Sequence, residues 1–401
     1  MESAIPVSDS IYWVGVNDRQ TFLFEAIWPL PRGVCYNSYL IVDKKVALLD
    51  TVKEILLPCY LAKLKKVLGP KKQIDCLIVH HLEPDHSGSI PVLLEIFPGM
   101  KIIGNKKTAE FLKRLYNIKH NVQIVQDGDE LELGRRKLKF FLTPMVHWPE
   151  SMVSYEPAEK ILFSSDAFGG FGTLDGGIFD DTVDISYFED EILRYFSNIV
   201  GKYASMVQKA ITKLKDLEVK IVAPAHGPVW RKQPTRIIQL YDKWSRHEAE
   251  KGVVVAYASM YGHTEKMAEA VTQGLSEQGL RAVRVHNVSR SHVSYIIRDA
   301  WRYKGLILGS PTYDAKVFPP MDSLLSLLNI KMIRKRIVGV FGSYGWAGGA
   351  VKAMTQFVKE NSLELVEPVI GAQFAANPEE LEQCRELGRN IAKHINNSLK
   401  P

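Results

Sequence analysis

Four side chains that commonly bind metal ions stand within six positions of the sequence, in the stretch HLEPDH at 81–86. They are His81, Glu83, Asp85 and His86, and the apolar run CLIV comes shortly before them. In an extended segment residues i and i+2 face the same side, so His81 and Glu83 can bind one ion together. A turn at Pro84 brings Asp85 and His86 towards a second ion. Four ionisable groups buried together are costly unless metal binding or pairing offsets their desolvation, so the stretch predicts a two-metal site.

Three single residues supply further ligands of the same kinds, and each lies just after an apolar strand. They are His147, Asp166 and His226. If the carboxylate of Asp166 bridges two ions, the seven residues divide into two sets: His81, Glu83, His147 and Asp166; then Asp85, His86, His226 and Asp166. Each of the three taken alone favours a structural interpretation, as a packed histidine or a turn aspartate. The cluster at 81–86 favours metal binding.

Two neighbours of this cluster are expected to support it rather than to bind metal. His80 should face the opposite side of the strand from His81 and pack or hydrogen-bond there. Asp50, which ends the strand VALLD, is a candidate to orient a ligand or its loop, as groups behind metal ligands do. An ordinary turn aspartate is the alternative interpretation of Asp50.

A second constellation begins at the turn SMYGHT, which follows the apolar strand GVVVAYA and runs into a helix. Hydroxyls and backbone N–H groups at a helix N-terminus suit a phosphate dianion, helped by the helix dipole. The motif resembles the phosphate loop of flavodoxins, of the type S-x-x-G-x-T. A plain strand–turn–helix connection is the alternative. The candidate phosphate-binding residues are Ser259, Met260, Tyr261, Gly262, His263 and Thr264.

Two further loops, each released from a buried parallel-type strand, are expected to hold an isoalloxazine ring. Their aromatic residues offer surface to a ring, and their glycines let the backbone approach it; ordinary surface loops are the alternative. Three such loops at the carboxyl ends of successive strands predict bound FMN. No G-x-G-x-x-G is present, so a dinucleotide is not supported. The candidate residues are Pro311, Thr312, Tyr313 and Asp314, then Ser343, Tyr344, Gly345, Trp346, Ala347, Gly348 and Gly349.

The elements that position these residues change in style near residue 250. Before it, periodicity predicts short strands at 46–52, 76–81, 101–105, 137–144 and 160–168, a helix at 91–97, and a largely helical segment at 184–217. A charged helix is expected at 231–251. After it come alternating βα units with strands at 252–260, 305–313 and 336–345. We therefore predict two domains, residues 1–250 and 251–401, since the chain is too long for one core.

Composition excludes several classes of protein. The net charge of +6 over 401 residues is mild, and no basic stripe interleaved with aromatics indicates nucleic-acid binding. The clusters KKQ at 71–73 and KMIRKR at 331–336 are interpreted as solvated surface, with a docking patch for an acidic partner as the alternative. No secretory leader and no apolar run long enough for a membrane span is visible, so a cytoplasmic protein is expected.

The cysteines point to a reducing compartment and away from a thiolate-ligated metal centre. No pair of them forms a C-x-x-C. We predict that they are buried and act as small hydrophobic residues. They are Cys35, Cys59, Cys76 and Cys384.

The first constellation resembles the metallo-β-lactamase superfamily, whose usual signature is H-x-H-x-D-H followed by distant His, Asp and His. Here Glu83 stands at the second position, and a hard carboxylate in place of an imidazole shifts preference from zinc towards iron or manganese. Together with the flavodoxin-like second half, the whole chain resembles the flavodiiron proteins, or A-type flavoproteins. The resemblance implies an α/β and α+β two-domain fold: a metallo-β-lactamase-like αββα sandwich, then a flavodoxin-like doubly wound parallel sheet.

The resemblance also implies an activity: reduction of O2 to water, of NO to N2O, or both, at two iron ions bridged by Asp166. FMN would receive electrons from an external donor such as rubredoxin or a reduced flavin or deazaflavin. It implies a head-to-tail homodimer or a dimer of dimers, in which flavin and diiron centre meet across an interface. Tyr195 is near the gas-binding face by similarity, or packs on a helix face. The open alternatives are a zinc hydrolase fused to a flavodoxin module and a non-catalytic flavin electron carrier.

Overall fold

The computed structural model describes residues 3–70 and 73–398. The chain divides into two compact units, Met1–Asp242 and Lys243–Pro401. Lys71 and Lys72, in the basic cluster at 71–73, lie outside the described residues. The domain boundary predicted between residues 250 and 251 remains a prediction, because it concerns which segments fold independently.

The described residues of the first unit form sixteen strands, most of them short. They are β1 (Ile5–Ser8), β2 (Ile11–Trp13), β3 (Val16–Asp18), β4 (Leu23–Phe24), β5 (Trp28–Pro29), β6 (Val34–Tyr36), β7 (Tyr39–Val42), β8 (Val46–Leu49), β9 (Cys76–Ile78), β10 (Lys101–Gly104), β11 (Val122–Ile124), β12 (Glu130–Glu132), β13 (Lys137–Leu142), β14 (Met152–Glu156), β15 (Ile161–Ser165) and β16 (Ile221–Pro224).

Within residues 3–70 and 73–245, seven helices accompany these strands, and the last leads from the first unit into the second. They are α1 (Leu57–Leu68), α2 (Pro84–Ser87), α3 (Ile90–Ile96), α4 (Lys106–Tyr116), α5 (Ile185–Tyr195), α6 (Ala204–Leu214) and α7 (Pro234–Ser245). A 3₁₀ turn at Glu54–Leu56 precedes α1. A π-helical turn (Phe196–Val200) and a 3₁₀ turn (Gly201–Tyr203) separate α5 from α6.

Two sheets form the β-layers of the first unit. The larger has the order β1-β2-β7-β8-β9-β10-β11, and the smaller the order β12-β13-β14-β15-β16. The ring of Tyr39 on β7 lies 5.2 Å from the ring of Phe163 on β15, so side chains of the two sheets pack on each other. Strands β14 and β15 are buried along their whole length, as expected for strands covered on both faces. This is the predicted metallo-β-lactamase-like fold.

The second unit alternates strands and helices. Its strands are β17 (Glu250–Tyr257), β18 (Val283–Asn287), β19 (Tyr303–Tyr313), β20 (Lys316–Val317), β21 (Ile337–Tyr344), β22 (Glu364–Leu365) and β23 (Ile370–Gln373). Its helices are α8 (His263–Glu277), α9 (Val293–Arg302), α10 (Pro319–Ile330), α11 (Ala350–Glu360) and α12 (Pro378–Ser398).

The sheet of the second unit is parallel apart from one short strand. Its order is β18-β17-β19-β21-β22, with β23 also paired to β21 and β20 antiparallel to β19. Such an order places the loops after β17, β19 and β21 at the carboxyl edge of the sheet, where doubly wound folds bind ligands. The predicted flavodoxin-like fold is confirmed.

Several predicted elements are confirmed and three details are wrong. The cluster KMIRKR at 331–336 is not all solvated surface, because Ile333 and Arg336 are buried and the Arg336 guanidinium donates to backbone carbonyls. The helical segment at 184–217 is present, in the pieces given above. The charged helix expected at 231–251 ends at Ser245, because Glu250 already pairs with Tyr303 in the next sheet. Cys59 is exposed on the first turn of α1, unlike the other three cysteines. Among the described residues, no helix combines the length and apolar character that crossing a membrane requires.

Candidate metal centre and flavin site

The seven residues expected to bind metal lie together, at the ends of strands in both sheets of the first unit. One atom each of His81, Glu83, His147 and Asp166 falls within 4.8 Å of the others, and the same holds for His86, Asp166 and His226. A third such group joins His81, Asp85 and His86. Asp166 belongs to two of the groups, which is the position the sequence predicts for a bridging carboxylate.

The two oxygens of Asp166 face different groups. Oδ2 lies 2.9 Å from Nε2 of His147 and 3.4 Å from Nε2 of His81. Oδ1 lies 3.5 Å from Nε2 of His86 and 3.8 Å from Nε2 of His226. A carboxylate with one oxygen towards each of two ligand groups has the geometry needed to join two metal ions.

The remaining carboxylates complete the two groups. Oε2 of Glu83 lies 2.9 Å from Nε2 of His147, in the first group. Oδ2 of Asp85 lies 3.4 Å from Nε2 of both His86 and His226, in the second. The division into two sets therefore agrees with the one expected from the sequence, with Asp85 nearest the second.

The cluster carries polar atoms that only a ligand would satisfy. Buried Nε2 of His81, both oxygens of Asp85 and Oδ1 of Asp166 have no hydrogen-bond partner within the described part of the chain. Nε2 of His86 and Nε2 of His226 face each other at 2.9 Å. Such convergence is costly unless cations share the lone pairs, so the donor set fits two ions with mixed nitrogen and oxygen ligands.

Charge pairing perturbs the protonation of the cluster. Burial opposes ionisation of Asp166, but the imidazoles of His81 and His147 hold the pKa of this carboxyl well below its usual range. Burial likewise opposes charge on His147, yet hydrogen bonds to Asp166 and Glu83 raise the pKa of this imidazole to about 10. Protons on the imidazoles thus stabilise the carboxylates, and metal ions that bind here must displace them.

The ring nitrogens of His81 and His226 that are turned away from the cluster are held by protein groups. Nδ1 of His81 lies 3.1 Å from the hydroxyl of Ser165, and Nδ1 of His226 lies 2.8 Å from the carbonyl oxygen of Cys35. Contacts of this kind fix the ring orientation and leave Nε2 for a metal ion. The thiol of Cys35 also accepts a hydrogen bond from the backbone N–H of Gly227, a role that the sequence did not indicate.

Asp50 and His80 hold the start of the ligand segment. The carboxylate of Asp50 accepts a hydrogen bond from the backbone N–H of His80 at 2.8 Å and lies 2.6 Å from Nδ1 of the same residue. Nε2 of His80 lies 2.8 Å from the hydroxyl of Ser154. His80 therefore hydrogen-bonds away from the cluster, as expected, and Asp50 orients the loop rather than contacting a ligand.

Tyr195 points at the carboxylate of Asp166. Its hydroxyl donates to Oδ2 of Asp166 at 2.8 Å, from the last residue of α5, just before the π-helical turn. Of the two alternatives, packing alone does not describe this side chain. Burial, followed by the charge of Asp166, raises the pKa of the Tyr195 phenol well above its usual value.

A cavity of 230 Å³ leads to Glu83 and Asp85. Phe24 and Tyr36 line it, and both rings stand edge-on to His226, at 5.6 and 5.8 Å. Sequence reasoning missed both aromatic residues, because neither lies near a ligand in the chain and only the fold of β4 and β6 brings them there.

A second cavity, of 490 Å³, lies among the three loops predicted to bind FMN. Of the predicted residues, only Gly262, Gly348 and Gly349 do not line it. Two lining residues were missed, Ala315 and Phe374, the latter after β23 where no motif marks it. The predicted residues that line it are Ser259, Met260, Tyr261, His263, Thr264, Pro311, Thr312, Tyr313, Asp314, Ser343, Tyr344, Gly345, Trp346 and Ala347.

The shape and chemistry of this cavity fit FMN. The backbone N–H of Gly262 donates to the hydroxyl of Ser259, and α8 begins at the next residue, so hydroxyls and N–H groups converge where a phosphate would lie. Gly262 has φ of 87°, a conformation that favours glycine. Trp346 is 93% exposed, as an aromatic side chain is when it stands at the rim of a site for a planar ring.

Models of two protein families match the chain. The family described as ODP family beta lactamase matches residues 34–227, and the family described as flavodoxin matches residues 255–388. A nitric oxide reductase of Moorella thermoacetica is 37% identical over 401 aligned residues, covering 98% of this chain and 100% of that protein.

Solved structures match over nearly the whole chain. The rubredoxin oxygen:oxidoreductase of the anaerobe Desulfovibrio gigas has a TM-score of 0.95 and 30% identity, with coverage of 99% of this chain and 100% of that one. The flavodiiron protein of Giardia intestinalis has a TM-score of 0.93 and 28% identity, with coverage of 98% and 97%. The chain therefore belongs to the flavodiiron protein family of oxidoreductases, whose cofactors are FMN and a diiron centre.

Proposed function

We propose that this protein reduces O2 to water, NO to N2O, or both, with electrons that enter through FMN. The observation that carries the proposal is the arrangement around Asp166, whose two oxygens face two separate ligand groups. We further propose that His81, Glu83, Asp85, His86, His147, Asp166 and His226 bind the two irons, and that the loops at 259–264, 311–315 and 343–347 bind FMN.

Glu83 supports iron rather than zinc. Zinc hydrolases rely on imidazole-rich sites with an open water position, whereas mixed carboxylate and imidazole ligation suits iron and manganese. When bound, two ferrous ions and a two-electron-reduced FMN would supply the four electrons that reduction of O2 requires. With four protons from water, this reduction yields two waters. Reduction of two NO to N2O and one water needs two electrons and two protons.

The protein's own residues shape the site for a small apolar gas. Phe24 and Tyr36 give the cavity beside Glu83 and Asp85 an aromatic wall. Tyr195 keeps its phenolic proton, since burial and the charge of Asp166 oppose its loss, and donates to Asp166 Oδ2. This hydrogen bond holds the bridging carboxylate in one orientation, which preserves the spacing of the two ligand groups.

We propose an external electron donor, either a rubredoxin or a flavin or deazaflavin compound. The similarity to a protein named rubredoxin oxygen:oxidoreductase supports the first. We also propose a head-to-tail homodimer or a dimer of such dimers, located in the cytoplasm, with no nucleic-acid or membrane partner.

The test is the metal and flavin content of protein purified without air, followed by O2 and NO consumption by the chemically reduced protein. We expect about two irons and one FMN per chain and gas uptake that is abolished in His81→Ala. If the protein binds zinc in place of iron and takes up neither gas after loading with ferrous iron, the result would favour the zinc hydrolase alternative. FMN that cycles without gas consumption, unaffected by His81→Ala, would favour the electron carrier.

A further inference from the structure

Glu150 is a buried carboxylate beside the metal centre that belongs to neither ligand group. Its side chain is 1% exposed. Oε1 accepts a hydrogen bond from the backbone N–H of Leu82 at 2.9 Å. Leu82 is the residue between His81 and Glu83, so the carboxylate holds the backbone that sets the spacing of these two ligands.

The loop that carries Glu150 also carries a third ligand of the same group. Glu150 comes three residues after His147, in a loop closed by hydrogen bonds from Ser151 N–H to the Trp148 carbonyl and from Thr143 N–H to the Ser151 carbonyl. The carbonyl of Glu150 accepts from the side chain of Asn105 at 2.6 Å. Glu150 is thus pinned at its own backbone while its side chain reaches the segment of His81 and Glu83.

The other oxygen of Glu150 has no evident structural task. Oε2 is buried and has no hydrogen-bond partner among residues 3–70 and 73–398. The hydrogen bond from Leu82 is therefore the only one that the Glu150 side chain makes among the described residues, and it joins this side chain to the ligand segment rather than to the wider fold. An amide at this position would keep an acceptor for the same N–H.

We propose that Glu150 is a positioning residue for one of the two irons, the one in the group of His81, Glu83 and His147. The inference rests on the proposed function. The second group is held by different contacts: Thr51 donates to the carbonyl of His86 through its N–H and its hydroxyl, and Cys35 contacts the His226 ring. Loss of the Glu150 hydrogen bond should therefore loosen one iron and leave the other.

The test compares Glu150→Met with Glu150→Gln in the iron-loaded holoenzyme, with the rate of iron loss to a ferrous chelator as the measurement. Met fills similar space without an acceptor, whereas Gln keeps an oxygen for the Leu82 N–H. We expect Glu150→Met to lose one of its two irons about tenfold or more faster than the unmodified protein, with the second lost at the original rate. Glu150→Gln should keep both irons for nearly as long as the unmodified protein.

Glu156→Met is the matched control. Glu156 is also fully buried on β14, but it contacts Arg136, at 3.2 Å, and the backbone N–H of Glu159, and no metal ligand. This variant should lower the melting temperature without altering iron loss. If Glu150→Met does not fold, Glu150→Asp replaces it, since it keeps the charge on a side chain too short to reach Leu82.

The outcomes separate this inference from the proposed function. Unmodified protein that binds no iron after ferrous loading contradicts the proposed function. If the unmodified protein holds two irons, the inference is wrong in any of three cases: Glu150→Met releases iron at the original rate, releases both irons equally fast, or is matched by Glu150→Gln.

Discussion

Glu83 is the residue that we expect to decide which metal the site binds. It stands where the hydrolases of this fold carry an imidazole, and its Oε2 lies 2.9 Å from His147 Nε2. We expect Glu83→His to raise the ratio of bound zinc to iron by about tenfold, because a third imidazole near one ion restores the donor set that zinc prefers. Metal analysis of protein produced with both metals in the medium measures the ratio.

Glu95→His is the control for this change, since Glu95 is exposed on α3 and faces no ligand group. It should leave the metal ratio where it was. If Glu83→His binds iron and zinc in the original ratio, the ligand type at this position does not decide the metal.

His247 should make the second unit sensitive to acid. Burial, together with the positive charges of Arg336, Lys335 and Arg334, lowers the pKa of this imidazole to about 4, and its ring lies 5.0 Å from that of Trp301. Because the folded pKa lies below the unfolded one, the unfolded chain binds more protons between about pH 6.5 and 4, and stability falls as pH falls through this window.

The expected loss in the free energy of unfolding is about 1 kcal/mol at about pH 5, after allowance for solvent screening of a partly exposed group. His247→Phe keeps the aromatic contact without the titration. Urea denaturation of both proteins at about pH 7.5 and about pH 5 should show that their difference in stability depends on pH in the stated direction. A difference that does not change with pH contradicts the prediction.

At the scale of elements, helices α8 and α12 cross at a point where each of them has a glycine. A Cβ at Gly274 would lie 2.0 Å from the carbonyl oxygen of Arg385, and one at Gly388 would lie 2.1 Å from that of Val271. The helices therefore meet backbone against backbone. We expect Gly388→Ala to lower the free energy of unfolding by about 1–3 kcal/mol, because the added methyl group forces the helices apart.

Gly371→Ala serves as the comparison, since its added Cβ would meet only ordinary contacts, the nearest at 3.9 Å, on an exposed position of β23. It should be neutral or slightly stabilising. Thermal melting curves of the two variants separate the effects, and equal melting temperatures would show that the helix crossing tolerates a side chain.

The elements also decide how the candidate ligand side chains are positioned at the metal centre. Strand β9 ends at Ile78, and side chains hold the segment that follows in addition to its backbone hydrogen bonds with Ile103 and Met152: Asp50 accepts from His80 N–H, and Glu150 from Leu82 N–H. This frees the chain to turn at Pro84 and present ligands to both groups.

At the scale of the whole molecule, the proposed head-to-tail dimer implies that electrons pass from the flavin of one chain to the metal centre of its partner. This predicts a different result from electron transfer within a single chain. His81→Ala removes a metal ligand, and Ser259→Asp places a carboxylate where the FMN phosphate would lie. Each variant alone should be inactive. A heterodimer of the two should regain about half the activity of the unmodified dimer, because one of its two interfaces joins an intact flavin site to an intact metal site.

The heterodimer is isolated with two different affinity tags, and its gas consumption is compared with that of a heterodimer of unmodified and doubly substituted chains. In the second heterodimer both substitutions lie on one chain, so each interface pairs one intact site with one damaged site. Activity in that combination and none in the first would show that electrons pass within a chain.

The seven metal-binding candidates and most of the flavin-binding candidates could be predicted from the sequence because their types are rare together and follow short apolar strands. The presence of Glu83 at the second position of H-x-E-x-D-H is likewise visible in the sequence itself. Strand ends, glycine-rich turns and ligand chemistry are local properties, and local order along the chain is enough to reveal them.

The tertiary structure alone decided which groups face one another. The two oxygens of Asp166 divide between ligand groups, and Tyr195 reaches Asp166 over 29 positions of the chain. Phe24, Tyr36 and Phe374 come to the sites from segments without any motif, and Glu150 reaches the segment of His81 and Glu83 from the loop of His147. These side chains act through position and burial, and both depend on long-range packing of sheets and loops that no short pattern of residues encodes.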